Sequence, residues 1–134
     1  MAQYVDTSAW LKRYVDEPDS DRAVAYLAGD PDWFSGRHTY VEVRRNLARL
    51  LEGSELSRVK HEFEEDWRRV TVIELDVVTT SLAADIAEDT GLRTLDALHL
   101  GAVLRLGATF ASLLTFDIRQ AQVARKLGLV VNAS

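Results

Sequence analysis

The chain has 134 residues, enough for one domain with a substantial core. An apolar fraction of 47% and a charged fraction of 28% exclude a disordered or fibrous protein, and the absence of cysteine excludes disulfides, thiolate zinc sites and a cysteine nucleophile. The balance of 16 basic against 21 acidic side chains, a net charge of −5, argues against non-specific wrapping of nucleic acid; it leaves room for a nuclease whose bound cations supply local positive charge.

Met1-Ala2-Gln3-Tyr4-Val5-Asp6 has no basic segment followed by an apolar core, so no secretory signal is visible. Gln3-Tyr4-Val5 predicts a strand running into Asp6, and Thr7 or Ser8 can cap a helix through Ala9, Trp10, Leu11 and Tyr14. Glu17-Pro18-Asp19-Ser20 breaks it and starts another helix, ending near Gly29. Trp33-Phe34-Ser35 predicts a second strand closed by Gly36. Thr39 to Leu51 predicts a helix with Val43, Leu47, Leu50 and Leu51 on its apolar positions, stopped by Gly53. Leu56 to Trp67 predicts the next, with Glu62, Glu64, Glu65 and Asp66 as a solvated face.

The β-branched run Val70-Thr71-Val72-Ile73 predicts a third strand. Asp76 caps the following helix, in which Val78, Leu82 and Ile86 share a face, and Gly91 stops it. Thr94 opens a helix running to Leu106, with Leu95, Leu98, Ala102 and Leu106 on its core face and Asp96 in its first turn, where the macrodipole favours a negative charge. After Gly107, Phe110 to Leu114 predicts a strand; the apolar run there is far too short to span a bilayer, and the expected location is cytoplasmic, away from membranes. Asp117 opens a helix carrying Ala121, Ala124 and Leu127, and Leu129-Val130-Val131 predicts the last strand.

Strands alternating with helices predict a three-layer α/β/α arrangement around a parallel, roughly five-stranded sheet, as a single domain over residues 1–134. In such sheets ligands bind beyond the carboxyl ends of the strands. Asp6 and Asp117 follow strands directly, and Glu42 and Asp96 sit in first turns of helices that meet the same edge. Each acid also has an ordinary structural reading. Glu42 follows Thr39 at capping-box spacing, Asp117 and Asp96 suit helix starts, and the amides of the next turn could satisfy Asp6. Carboxylates gathered on one rim repel one another unless a cation lies between them, and hard ions such as Mg²⁺ or Mn²⁺ take oxygen ligands. Such ions hydrolyse phosphodiesters without help from histidine, cysteine or lysine. His38, His61 and His99 have no metal-ligand spacing in the sequence, and His99 reads as a locally packed or hydrogen-bonded side chain.

Tyr4-Val5-Asp6-Thr7-Ser8-Ala9, the Glu42 helix, Thr94-Leu95-Asp96-Ala97-Leu98-His99 and Leu114-Thr115-Phe116-Asp117 resemble, in order and spacing, the motifs of a PIN domain. The resemblance covers essentially the whole chain and is nearest to the VapC toxins, the ribonuclease halves of bacterial toxin–antitoxin pairs. It implies an acidic quartet of Asp6, Glu42, Asp96 and Asp117 holding Mg²⁺ or Mn²⁺, supported by Thr7 and Thr115. The implied activity is metal-dependent endonucleolytic cleavage of RNA, transfer RNA among the family's substrates, with water as nucleophile. Arg93 and Arg119 lie nearest the acidic motifs and are candidates for phosphate contact. The resemblance also implies a homodimer and a VapB-type antitoxin; Trp10, Leu11 and Tyr14 read either as plain core or as an exposed groove for that partner, which Phe63 and Trp67 could also line. The alternatives are a non-catalytic PIN-fold module that binds RNA or protein, and a phosphotransfer domain. A receiver domain wants paired acids after its first strand, and a haloacid-dehalogenase-type phosphatase wants a second aspartate two residues after the first. Thr7 and Ser8 stand at those positions.

Overall fold

The computed structural model describes residues 2–133. Five parallel strands form one sheet in the order β3-β2-β1-β4-β5: β1 (Ala2–Val5), β2 (Trp33–Gly36), β3 (Thr71–Ile73), β4 (Ala111–Leu114) and β5 (Val131–Asn132). Between them run α1 (Thr7–Tyr14), α2 (Ser20–Gly29), α3 (Arg37–Leu50), α4 (Gly53–Trp67), α5 (Val77–Thr90), α6 (Thr94–Leu106) and α7 (Ile118–Lys126). The central strand β1 pairs with β2 on one side and β4 on the other, with Val5 beside Leu114. The chain winds from β1 outward through β2 to β3 and then crosses to β4 on the other side of β1, so the order reverses there and opens a crevice at its carboxyl end.

Alternation along the strands divides the interior into two cores. Tyr4 and Leu113 face one core with Leu100 and Val103 of α6 and Val123 of α7. Val5 and Leu114 face the other, with Trp10 of α1, Leu27 of α2, Val43 and Leu47 of α3, and Phe63 of α4. The three-layer, five-stranded parallel arrangement expected from the sequence is therefore present.

Several local details differ from expectation. The cap of α1 is Asp6 itself, whose Oδ1 accepts from the Ala9 amide; neither Thr7 nor Ser8 fills that role. Helix α3 starts at Arg37, immediately after Gly36, so Glu42 lies beyond the first turn and takes no part in a capping box. Arg93, not Thr94, occupies the cap position of α6. The buried face of α5 is Thr79, Ala83 and Ile86, while Val78 is 51% exposed. The cause is close approach to α6: a Cβ at Gly101 would lie 2.9 Å from the Ala83 nitrogen and 2.9 Å from the Thr79 carbonyl oxygen. That contact turns α6 so that Ala97, Leu100 and Val103 are buried and Leu95 is 47% exposed.

Two side chains expected in a surface groove are core. Trp10 and Phe63 are fully buried, with ring centroids 5.4 Å apart in an edge-on contact. Helix α4 packs over the short α1 and covers Trp10, with Tyr14 stacked on the indole and Trp67 tilted against it. A groove of about 400 Å³ does run between α1 and α4, but Arg13, Tyr14, His61, Glu62, Glu65 and Asp66 line it. Asp66 is not on a solvated face either. It is buried and accepts from Tyr14 Oη and Arg13 Nε. Leu11 and Trp67 are half-buried against the same core.

Candidate active site

Asp6 leaves the carboxyl end of β1 and is 2% exposed. Its Oδ1 accepts from the Ala9 amide at 3.0 Å and from Ser8 Oγ at 2.7 Å. Its Oδ2 accepts from Thr115 Oγ1. Both hydroxyls also bind the loop after β4: Ser8 Oγ reaches across to accept from the Phe116 amide at 2.9 Å, and Thr115 Oγ1, within that loop, accepts from the Asp117 amide at 3.1 Å. Burial pushes the Asp6 carboxyl above its usual range; the facing His99 and the Thr115, Ser8 and Ala9 donors oppose the rise without cancelling it.

Glu42 arrives from α3 and is held at Oε1 by Thr7 Oγ1 at 2.7 Å and His99 Nε2 at 3.0 Å. Burial works to raise its carboxyl, but the His99 and Thr7 hydrogen bonds outweigh it and the net shift is downward. His99 in turn meets Tyr4 Oη through Nδ1 at 2.8 Å, and Tyr4 Oη accepts from the Gly36 amide at 2.9 Å. With its proton on Nε2, His99 donates to Glu42 and accepts from the phenol, which satisfies each member of the chain. The sequence reading gave His99 only local contacts. The fold instead makes it a cross-link between β1, α3 and α6.

Asp96 projects from the first turn of α6. Its side chain is 19% exposed, and its one charged partner among the described residues is Arg93, at 3.5 Å. Burial raises its carboxyl, and the charge of Asp117 adds to that, as does Asp6; His99 and Arg93 pull the other way. Asp117 caps α7, its Oδ1 accepting from the Gln120 amide at 2.8 Å. The capping reading is thus correct for Asp117, and its other oxygen keeps its lone pairs for another partner.

Asp6, Thr7, Ser8, Leu11, Glu42, Asp96, His99, Asp117 and Gln120 line one cleft of about 190 Å³. All four acids marked in the sequence reach it, together with Thr7. Thr115 stands behind Asp6, fully buried. Arg93 is at the rim and 85% exposed, whereas Arg119 donates to the Thr90 carbonyl at 2.7 Å. Leu11 belongs to this cleft and not to the α1–α4 groove. Gln120 and His38 carried no functional signal in the sequence, because what brings them to the cleft and to His99 is the packing of elements remote along the chain.

The donor set is suited to a hard divalent cation. Four carboxylates line one cleft, two of them with carboxyls raised chiefly by burial, for Asp96 with the charge of Asp117 adding to it, and Asp96 is only loosely tied.

The PIN-domain family profile matches residues 3–126. Ribonuclease VapC46 of Mycobacterium tuberculosis is 34% identical over 132 residues, spanning 98% of this chain and 97% of that protein. Ribonuclease VapC45 of the same species is 33% identical over 109 residues, 78% and 76% of the respective chains. Among solved structures, FitAcB from Neisseria gonorrhoeae superposes with a TM-score of 0.76 at 19% identity, covering 96% of this chain and 94% of that one. VapBC2 from Rickettsia felis, bound to a promoter DNA fragment, gives 0.70 at 14% identity, with coverage of 100% and 99%. This chain belongs to the PIN-domain family, in the group that contains the VapC ribonucleases.

Proposed function

We propose that this chain is a VapC-like toxin: an endoribonuclease dependent on Mg²⁺ or Mn²⁺, kept inactive by a VapB-type antitoxin. The observation that carries the reading is the meeting of Asp6, Glu42, Asp96 and Asp117 in one cleft at the β1–β4 edge. The ribonuclease names of its relatives and the antitoxin-bound state of its structural neighbours support the same reading. Asp6 and Asp96 would be the principal ligands, with Glu42 and Asp117 assisting directly or through water. When bound, the cation would offset the charge of a phosphodiester and acidify the attacking water.

The protein's own contribution is positioning. Thr115 and Ser8 fix both oxygens of Asp6, and Thr7 with His99 fixes one oxygen of Glu42, so neither carboxylate has to reorganise when RNA arrives. Arg93 is placed to meet a phosphate at the rim, and Arg119 is a weaker candidate because its guanidinium is engaged with α5. The proposal extends to a cytoplasmic, single-domain protein over 1–134 that forms a homodimer and takes structured RNA such as transfer RNA. No helix among the described residues is long and apolar enough to cross a membrane.

The test is thermal unfolding of metal-free protein against Mn²⁺, alongside cleavage of a mixed transfer RNA pool, for wild type and Asp96→Asn. Mn²⁺ at tenfold excess over its Kd adds about 1.4 kcal/mol, roughly 4 °C for a domain of this size. Wild type should show that rise and cleave, and Asp96→Asn should do neither. Cleavage by Asp96→Asn at the wild-type rate would overturn the reading, and binding without cleavage by both proteins would leave a non-catalytic module.

A further inference from the structure

Behind the acidic cleft, the fold brings together two histidines that are 61 residues apart in the chain. His38 is 8% exposed and His99 is 1% exposed, and their ring centroids are 4.2 Å apart. Neither nitrogen of His38 has a side-chain hydrogen-bond partner among the described residues, and its one backbone neighbour of that kind is Leu95. A buried imidazole that keeps one nitrogen without a partner is uncommon, because desolvating a polar group without compensation is costly. The ring is also accommodated deliberately. A Cβ at Gly36 would lie 2.7 Å from His38 Cε1 and 2.8 Å from Tyr4 Oη, so only glycine there lets the imidazole turn inward.

What His38 points towards is a ligand set. Its Nε2 lies 3.8 Å from Glu42 Oε1, and His99 Nε2 lies 3.0 Å from the same oxygen. The donor atoms of His38, Glu42 and His99 all fall within 4.8 Å of one another. An ion about 2.0–2.2 Å from each ligand in tetrahedral geometry holds its donors about 3.3 Å apart, and the two separations bracket that value. Glu42 and His99 also line the cleft, which leaves a fourth position reachable by water.

We propose that His38, Glu42 and His99 form a second metal site, selective for a borderline transition ion such as Zn²⁺ or Co²⁺, that shares Glu42 with the acidic cleft. Two imidazoles and one carboxylate suit such an ion, whereas Mg²⁺ prefers oxygen donors alone. Loading requires His99 to carry its proton on Nδ1, where it donates to Tyr4 Oη, the arrangement in which the far nitrogen of a metal-bound histidine fixes the ring. Because Glu42 cannot serve both ions fully, the transition ion weakens Mg²⁺ binding in the cleft.

The experiment uses metal-free, tag-free full chain titrated with Co²⁺ and followed by its visible d–d absorption. Wild type should give an intense four- or five-coordinate spectrum at one equivalent, displaced by Zn²⁺ and shifted to higher Co²⁺ concentration by excess Mg²⁺, since coupling through the shared Glu42 is reciprocal. His38→Phe should weaken Co²⁺ binding by about 100-fold or more, above the 10–100-fold typical of losing an outer hydrogen-bond partner of a metal ligand. Asp96→Asn should retain the spectrum, which separates this site from the acidic cleft and from the nuclease reading. If His38→Phe fails to fold, ¹⁵N imidazole resonances of the wild type under Zn²⁺ decide: His38 and His99 should move and the exposed His61 should not. No spectrum in wild type, an unchanged one in His38→Phe, its loss in Asp96→Asn, or Zn²⁺ shifts confined to His61 would each overturn the proposal.

Discussion

Replacing Thr115 with valine keeps the shape of a fully buried side chain and deletes one hydroxyl. That hydroxyl donates to Asp6 Oδ2 and accepts from the Asp117 amide, so a single atom links two of the four acids. A hydrogen bond to a charged group contributes about 1.5–3 kcal/mol, and an amide left without its acceptor adds roughly another 1 kcal/mol. The expected loss is about 2–4 kcal/mol, roughly 6–16 °C in unfolding midpoint for a domain of this size. Thr115→Ser retains the hydroxyl and should lose only about 1 kcal/mol for one buried methyl.

The pH dependence has a definite sign. Burial already holds the Asp6 carboxyl above the ordinary aspartate value of 3.8, and the Thr115 donor opposes that rise. Removing the donor raises the carboxyl further. A group whose folded pKa is raised contributes stability that is fully present below its unfolded value and lost as pH rises through its folded value. The deficit of Thr115→Val relative to wild type should therefore be smaller near pH 4 and larger at pH 7. Thermal and urea unfolding in chelator at both pH values measure it. A deficit under about 0.5 kcal/mol, one that does not grow with pH, or a serine variant as weak as the valine would refute the positioning role of this hydroxyl.

Trp10→Ala should remove about 3–5 kcal/mol, because the indole is fully enclosed and packs on Phe63, Trp33 and Tyr14. Chemical denaturation tests this, and an unchanged midpoint would return Trp10 to an exposed groove. Asp76 caps α5 and is held down to about 2, first by the Thr79 amide and then by the Arg105 guanidinium. Its stabilisation is present above the unfolded value of 3.8 and drains as pH falls through about 2, so Asp76→Asn should unfold earlier than wild type at pH 6 and match it near pH 2. A gap that persists at pH 2 would assign the effect to lost capping geometry and not to charge.

The sequence by itself determined the order of strands and helices, the parallel sheet and the positions of the four acids. These follow from short-range rules: alternation marks a strand, turn residues end it, and a carboxylate after a buried strand falls on the carboxyl rim. Asp6 and Asp117 were legible in that way, and they also prove to be helix caps. Glu42 was legible as a member of the acidic quartet, and its rival reading as a capping-box partner fails because α3 starts at Arg37, where Gly36 makes room for His38 and Tyr4 Oη. Tertiary structure alone decided the rest. Aromatic spacing on α1 is the same whether solvent or α4 covers it, and packing by α4 put Trp10 and Phe63 in the core. The meeting of His38 with His99 depends on how α3 and α6 lie against the sheet, and periodicity along one helix carries no information about the rings on another.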